Sequence, residues 1–275
     1  MQHASANARH RALFVSHGGG PLPLLGDPQH QNMRVLLENV VQGTPLPAAI
    51  VVISAHWEAS GVRVTGARNP NLLYDYGGFP DEAYHIQYPC PGEPALAREI
   101  VELLRAETAL TGEGVNAGLD NSRGLDHGVF VPLKLMFPRA NIPIVQVSLA
   151  TGLNPLQHIH IGRALAKLSR GNLLFIGSGF TFHNFRAFFS PSEENETKNM
   201  AFLQWLDKTV GGAYNEPQRV AQLTKWDQAP FARFCHPREE HLIPLMVVYG
   251  IAGRASSRSL HAQILNYTAG FYCWD

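Results

Sequence analysis

AAIVVISAHW, at residues 48–57, is the stretch of sequence that decides the fold. Its first seven residues are almost entirely apolar and include a β-branched run. This composition is typical of a strand that is buried on both faces of a parallel sheet. We expect the strand to end at Ser54, which would place His56 just beyond its carboxyl end.

Two other apolar runs have the same design. Residues 12–15 lead into His17 and a glycine-rich loop, and residues 173–177 lead towards His183. Segments with helical spacing lie between these runs, so the sequence predicts an α/β fold with a central mixed or parallel sheet flanked by helices. Ligands bind outside the carboxyl ends of strands in such sheets, so the strand-end histidines are expected to converge on a metal site there.

The sequence as a whole predicts a single domain. Residues 1–10 are polar and are expected to form a flexible N-terminus, whereas residues 11–275 show no linker or repeat that would divide them. Residues 69–94 are rich in proline, glycine and aromatic residues, which predicts a long ordered loop. Near the C-terminus we expect a helix beginning at Pro237 and a last strand over residues 262–267.

Composition excludes several classes of function. The 275 residues are 45% hydrophobic, and 22 Lys and Arg balance 22 Asp and Glu, which argues against a basic face for nucleic acid or a polybasic membrane anchor. We find no secretory signal and no apolar run long enough for a transmembrane helix, so a cytoplasmic protein is expected. The three widely separated cysteines predict neither a disulfide framework nor a zinc ribbon.

Thirteen histidines are the unusual feature of the composition. Besides those at strand ends, His127 follows a glycine-rich loop and His241 lies in a polar stretch before an apolar segment. Imidazole suits Fe, Zn, Cu or Ni, and a catalytic centre needs about three protein ligands with an open position. A histidine outside the ligand set can act as an acid or base. Asp126 is expected to cap the loop before His127, with orientation of the His127 ring as the alternative.

Other histidines and the aromatic residues have ordinary alternatives. We expect His30 and His158 at the surface. Trp57, Tyr74 and Phe79 are candidates to line a pocket for a planar substrate, although aromatic side chains more often pack in a core. Arg186 is a candidate partner for a substrate carboxylate, or an ordinary surface residue. The HGGG stretch at 17–20 lacks the G-x-S-x-G companion of esterases.

Seven motifs in order make the sequence similar to a known family. They are SHGGGP at 16–21, SAHWE at 54–58, YDYGGFP at 74–80, YPCPGEPALA at 88–97, GLDHGVFVPL at 124–133, the GSG-x-x-x-HN pattern at 177–184 and HPREEHLIPL at 236–245. Together they resemble the class III extradiol ring-cleavage dioxygenases, most closely the DODA type. The resemblance runs from about residue 12 to 250.

The resemblance implies an extradiol dioxygenase-like catalytic domain over residues 11–275. It implies a mononuclear non-haem Fe(II) site, which Zn(II) also occupies in this branch, and two substrates, O2 and a small catechol-type aromatic compound. The ring would open next to its two hydroxyls to give a semialdehyde. No nucleic acid or membrane partner is implied, and a homo-oligomer is left open.

Site residues carry over from the resemblance one by one. His17 and His56 match two metal ligands, and His241 matches the third. His183 matches a histidine that serves either as a further ligand or as the acid/base, and His127 matches one that contacts substrate or oxygen. Glu240 stays open as an alternative third ligand. A zinc-dependent hydrolase and a catalytically silent metal- or aromatic-binding relative remain as alternative functions.

Overall fold

A mixed eight-stranded sheet forms the centre of the computed structural model, which describes residues 10–108 and 114–275. The strand order is β4-β3-β5-β2-β6-β1-β8-β7. The strands are β1 (Arg11–Ser16), β2 (Ala49–Ala59), β3 (Val62–Thr65), β4 (Ala117–Asp120), β5 (Ile144–Ala150), β6 (Leu173–Gly179), β7 (Arg258–Ile264) and β8 (Tyr267–Trp274). The predicted single-domain α/β fold is confirmed.

Helices cover both faces of this sheet. They are α1 (Gln31–Val40), α2 (Pro94–Ala106), α3 (His127–Met136), α4 (Pro155–Leu165), α5 (Phe185–Phe189), α6 (Glu193–Val210), α7 (Glu216–Thr224), α8 (Ala232–Cys235) and α9 (Ile243–Ala252). Apolar residues of β2 alternate between two cores: Val51 and Ile53 pack on the side of α2, α4, α6 and α9, and Ile50 and Val52 on the side of α1 and α3. This alternation explains the continuous apolar run, because both faces of the strand are buried.

The three central strands β2, β6 and β1 are parallel neighbours, so their carboxyl ends meet at one edge of the sheet. The prediction that β2 stops at Ser54 is wrong, since the strand continues to Ala59. Its pairing with β5 breaks between Ile53 and Glu58, while its pairing with β6 lasts to Ser54. His56 therefore lies in an irregular part of the strand. Such an irregularity changes the direction of side chains relative to a regular ladder.

Two predictions near the C-terminus are also wrong. The helix α9 begins at Ile243, so residues 237–242 form a separate turn rather than the start of this helix. The expected last strand over 262–267 is instead a hairpin of β7 and β8, whose turn residues Leu265 and Asn266 both have positive φ. β8 pairs antiparallel with β1 and covers its outer edge.

The other assignments concern the loops and the chain start. Residues 69–94 form the predicted ordered loop, with one short 3-10 turn over Asp81–His85. The flexible N-terminus predicted for residues 1–10 lies, except for His10, outside the described residues. Among the described residues, no helix is both long and apolar enough to span a membrane.

Candidate metal centre

Three histidine side chains meet at the carboxyl edge of the sheet. His17 follows β1, His56 lies in the irregular part of β2, and His241 lies in the turn before α9. The Nε2 atom of His56 is 3.0 Å from Nε2 of His17 and 3.3 Å from Nε2 of His241. His17 and His241 are only 1% and 4% exposed, so their ring nitrogens point into the protein and not into bulk water.

Gly179 allows two of these histidines to approach one another. Its carbonyl accepts a hydrogen bond from the His17 backbone N–H at 3.0 Å. A Cβ at this position would lie 2.1 Å from the carbonyl oxygen of His241, so a larger residue would push the turn away. Glycine at the end of β6 is therefore required by close backbone approach, not by backbone conformation.

The hydrogen-bond partners fix the tautomer of His17. The Ser178 hydroxyl donates to the carbonyl of Gly128, so its oxygen accepts from Nδ1 of His17, 3.0 Å away. Nδ1 therefore carries the hydrogen, and Nε2 presents a lone pair towards the other two rings.

A carboxylate fixes the tautomer of His241 in the same way. Nδ1 of His241 donates to Glu240 Oε1 at 2.9 Å. A carboxylate accepts hydrogen bonds and cannot donate them, so this Nδ1 carries hydrogen and Nε2 presents a lone pair. Nδ1 of His56 lies 3.5 Å from Asp75 Oδ2, which is too long for a strong hydrogen bond, and its Nε2 lies within 3.3 Å of the Nε2 atoms of both other rings.

Nε2 atoms at these distances fit a cation held between them. Metal–nitrogen bonds of about 2.0–2.1 Å place neighbouring imidazole nitrogens roughly 3.0–3.4 Å apart, which matches the separations seen here. Burial also lowers the pKa of His17, His56 and His241 well below 6.5, and the nearby histidines lower it further. The rings are thus neutral near pH 7, the form that binds a metal.

His127 lies beside this trio and is held by Asp75. Its ring centroid is 3.9 Å from that of His56, and one ligand atom each from His17, His56 and His127 lie within 4.8 Å of one another. Both Nδ1 and the backbone N–H of His127 donate to Asp75 Oδ1, at 2.8 and 3.0 Å. Burial opposes ionisation of Asp75, but the hydrogen bonds from His127 prevail and lower its pKa to about 2.

Asp126 makes no hydrogen bond to the ring of His127, so the alternative that it orients this ring is wrong. Its buried carboxylate accepts from Ser54 Oγ at 2.7 Å, from Gln146 Nε2, and from Arg123 Nη2 at 3.3 Å. Burial raises the pKa of Asp126, and the charge of Asp75 raises it further. Asp126 therefore ties the start of α3 to β2 and β5. Sequence reasoning missed Asp75, although it is the one acid in the YDYGGFP motif.

His183 lies on the other side of the trio. Its ring stacks on His241 with centroids 3.4 Å apart and planes 16° from parallel. Its Nδ1 donates to Glu240 Oε1 at 3.1 Å, the same oxygen that holds His241. Glu240 therefore contacts the Nδ1 atoms of two histidines. Of the two alternatives Glu240 and His241, it is His241 that lies with its Nε2 next to that of His56. Burial opposes the charge of Glu240, but the hydrogen bond from His183 lowers its pKa.

The aromatic candidates divide into two groups. Tyr74 and Phe79 both belong to a cluster around Tyr76, whose ring is 5.7 Å from His127. Trp57, by contrast, is 5% exposed and lies under the Arg123 guanidinium, 4.7 Å from the ring centroid. The ring of Tyr76 packs edge-on against that of His127, and Tyr76 belongs to the same motif as Asp75. Burial raises its pKa to about 12, so it stays protonated.

Arg186 is exposed at the start of α5, next to Phe185, whose ring contacts that of His183 at 5.0 Å. This places it at the rim of the site, on the His183 side. The substrate contacts predicted for Tyr74, Phe79, Trp57 and Arg186 stay predictions.

The surface positions predicted for His30 and His158 are wrong, since both side chains are fully buried. Nε2 of His30 accepts from the Gly19 N–H at 3.0 Å, which pins the glycine-rich loop after His17. Nε2 of His158 accepts from the Ala150 N–H at 3.1 Å. Both rings are buried because they accept hydrogen bonds from backbone N–H groups. The local sequence pattern does not indicate such bonds.

Fold and site together define a class: an α/β protein with a histidine metal centre at the carboxyl ends of parallel strands. Comparison with known proteins makes this class specific. Residues 12–271 match the family described as the catalytic LigB subunit of aromatic ring-opening dioxygenase. The chain belongs to this family, whose dioxygenases depend on a metal.

Curated relatives and a solved structure agree with the family. A protein named Dioxygenase tasH from Hapsidospora irregularis is 39% identical over 87% of this chain and 77% of its own. Proteins named 4,5-DOPA dioxygenase extradiol from Beta vulgaris and Escherichia coli K12 are 36% and 32% identical, over 90% and 89% of this chain and 89% and 86% of theirs. A crystal structure of an uncharacterized Escherichia coli K12 protein superposes with a TM-score of 0.75 at 26% identity, covering 97% of this chain and 100% of that one.

Proposed function

We propose that this protein is an extradiol dioxygenase that opens a catechol-type ring next to its two hydroxyls and releases a semialdehyde. The observation that carries the proposal is that Nε2 of His56 lies within 3.3 Å of the Nε2 atoms of both His17 and His241, with His127 and His183 packed beside this trio. A metal ligand set of three leaves positions open for substrate and oxygen.

His17, His56 and His241 would hold the metal. Fe(II) is the ion expected for activity, because when bound it supplies the one-electron chemistry that lets an aromatic ring react with O2. Zn(II) fits the same three nitrogens but has no redox chemistry, so a zinc-loaded protein should be inactive in ring cleavage.

His183 would act as the acid/base. Extradiol cleavage adds both oxygen atoms of O2 to the catechol and consumes no net proton, so a base that takes a hydroxyl proton must later return it. Nδ1 of His183 donates to Glu240, which leaves Nε2 as the atom that can accept this proton. Stacking on His241 keeps that nitrogen close to the metal centre and limits ring rotation.

His127 would contact the substrate or the oxygen from the opposite side. Asp75 holds its Nδ1 and its backbone N–H, so the ring is fixed and the second nitrogen is free for this contact. Tyr74, Tyr76 and Phe79 form an aromatic wall next to His127, of the kind that receives a planar ring. Trp57 and Arg186 remain candidate substrate contacts, the latter for a carboxylate.

The test is anaerobic reconstitution with Fe(II), followed by air and a small set of catechols that includes L-DOPA and protocatechuate. We expect a yellow ring-opened product and matching O2 uptake with iron, and neither with a zinc-loaded sample. Iron-loaded protein that consumes no O2 with any catechol would contradict the proposal.

A zinc-dependent hydrolase is the second candidate, because an all-imidazole ligand set is also one that catalytic zinc uses. Zinc-bound hydroxide would then attack an ester or amide. Hydrolysis of an aryl ester by the zinc-loaded sample, with no O2 uptake by the iron-loaded one, would favour it. Membership of a dioxygenase family makes the first candidate the stronger.

A further inference from the structure

The Glu240 carboxylate stands between a residue proposed to bind the metal and a residue proposed to move a proton. Its Oε1 atom accepts from Nδ1 of His241 at 2.9 Å and from Nδ1 of His183 at 3.1 Å. The side chain is 15% exposed, so water competes weakly for these hydrogen bonds. One oxygen atom thus determines which nitrogen of each ring carries hydrogen.

We propose that Glu240 is a positioning residue that sets the tautomers of His241 and His183 together. It keeps both Nε2 atoms free of hydrogen, one for the metal and the other for the substrate proton. The part that concerns His183 rests on the proposed function; the part that concerns His241 needs only a metal. Metal affinity and proton transfer would then depend on the same carboxylate.

A carboxylate suits this position better than an amide. Whichever oxygen of a carboxylate faces the rings accepts as a charged group, whereas an amide can face them with its NH2 donor or with a weaker, uncharged acceptor. A glutamine that turned its NH2 group towards the rings would force Nδ1 to accept, and the hydrogen would move to Nε2. The metal would then lose a ligand atom, and His183 would lose its proton-accepting nitrogen.

An ion-pair chain keeps Glu240 in place. Its second oxygen, Oε2, is buried and lies 3.6 Å from Nη1 of Arg238, and Nη2 of Arg238 donates to Glu58. Glu58 lies two residues beyond His56 on β2. Arg238 therefore links the turn that carries His241 to the strand that carries His56. Because the Arg238 side chain is 58% exposed, we expect it to refine the position of Glu240 rather than to stabilise the fold.

The test compares Glu240→Gln with Glu239→Gln as its matched control. Glu239 carries the same charge one residue earlier but pairs with Arg233, at 2.6 Å. Zinc-loaded protein with 15N-labelled histidine gives the tautomer of each ring by long-range proton–nitrogen correlation. Competition with a chelator gives the zinc affinity. The signals are assigned with His183→Gln.

In the wild-type protein we expect His183 and His241 to carry hydrogen on Nδ1. In Glu240→Gln we expect a population of His183 with hydrogen on Nε2 and a zinc affinity lower by about 10–100-fold, the loss typical of a lost outer partner of a ligand. Glu239→Gln should stay within about twofold of wild type, since its side chain pairs with an exposed arginine and its loss removes no partner of a metal ligand.

Glu240→Asp provides a second variant if the glutamine variant does not fold. It keeps the charge but is shorter by one methylene, so it should lengthen the contacts with both rings and lower the zinc affinity relative to wild type by less than Glu240→Gln. Zinc affinity and a His183 tautomer unchanged from wild type in folded Glu240→Gln, or in Glu240→Asp if the glutamine variant does not fold, would overturn the proposal. Neither readout needs a catechol, so a wild-type protein that cleaves no ring would contradict the proposed function and leave this test intact.

Discussion

Two sides of the metal centre have the same composition but different anchoring. His56, His127 and Asp75 form one side, and His241, His183 and Glu240 form the other. Each side has one ring of the trio, one further ring packed against it and one carboxylate. Asp75 lies 2.8 Å from Nδ1 of His127 but 3.5 Å from Nδ1 of His56, whereas Glu240 lies within 3.1 Å of both its partners.

Backbone origin accounts for this difference. Glu240 precedes His241 in one turn, so the carboxylate and the ligand are placed together. Asp75 comes from the long loop after β3 and reaches His127 at the first residue of α3, while His56 is fixed separately by the irregular part of β2. One carboxylate therefore serves a ligand and its neighbour, and the other serves mainly the neighbour.

The largest effect is expected when one of the three histidines of the trio is replaced. His56→Ala, His241→Ala and His17→Ala should each lower metal affinity by more than roughly 100-fold, beyond the loss expected from an outer partner. Metal content after gel filtration measures this directly. His261→Ala is the control, since His261 pairs with Asp207 at the surface. Equal metal in all variants would show that these rings do not hold the ion.

The next largest effect distinguishes the roles of His183 and His127, the two rings packed beside the trio. His183→Gln should lower turnover by about 10²–10⁴-fold, the range of a lost acid/base, while the metal content and unfolding midpoint stay near wild type. His127→Gln should lower turnover less, since a substrate contact contributes less than the acid/base. Steady-state rates on iron-loaded proteins measure both. A larger loss in His127→Gln would exchange the two roles.

A smaller effect tests the carboxylate on the side of the long loop. Asp75→Asn should lower turnover by about tenfold through His127 and leave metal affinity nearly unchanged, because Asp75 is 3.5 Å from His56. Asp81→Asn, exposed on the same loop, is the control. Loss of metal affinity as large as that expected for Glu240→Gln would mean that the two sides are anchored alike.

The smallest effect concerns proton binding by the metal-free protein. Burial lowers the pKa of His56 and His241 in the folded state, so the unfolded chain takes up protons first as pH falls. The free energy of unfolding is therefore unaffected by these two rings above about pH 6.5. It falls as the pH drops from there towards the folded-state pKa, by at most about 1.4 kcal/mol per pH unit for each ring.

Urea unfolding with a chelator, at pH 7 and pH 5.5, measures this slope. His241→Gln should reduce it more than His56→Gln, because the His241 side chain is 5% exposed and that of His56 is 21% exposed and faces Asp75. The reverse order would mean that the side with the bulged strand is the better buried of the two.

Local patterns were sufficient for the elements that carry most of the site. The apolar runs of β1, β2 and β6 are visible in the sequence because those strands are buried on both faces, and the histidines that follow them are then at one edge. His241 and His127 were found through polar segments next to apolar ones and through family resemblance.

Features that depend on distant pairing were not predictable in this way. The continuation of β2 past Ser54 depends on its renewed pairing with β5, and the role of Asp75 depends on how a long loop folds back onto α3. His30 and His158 are buried because they satisfy backbone groups of other segments. The hairpin of β7 and β8 needs two residues with positive φ, and Leu265 is not a residue type that signals this.

The position of β1 in the sheet has a consequence for the order of folding. β1 leads to His17, and it pairs with β6 and β8, which both lie far from it along the sequence. Pairing between distant segments must close long loops, and this entropy cost is met before the new contacts repay it. We therefore expect the segment that positions His17 to pair late in folding, after the more local contacts have formed.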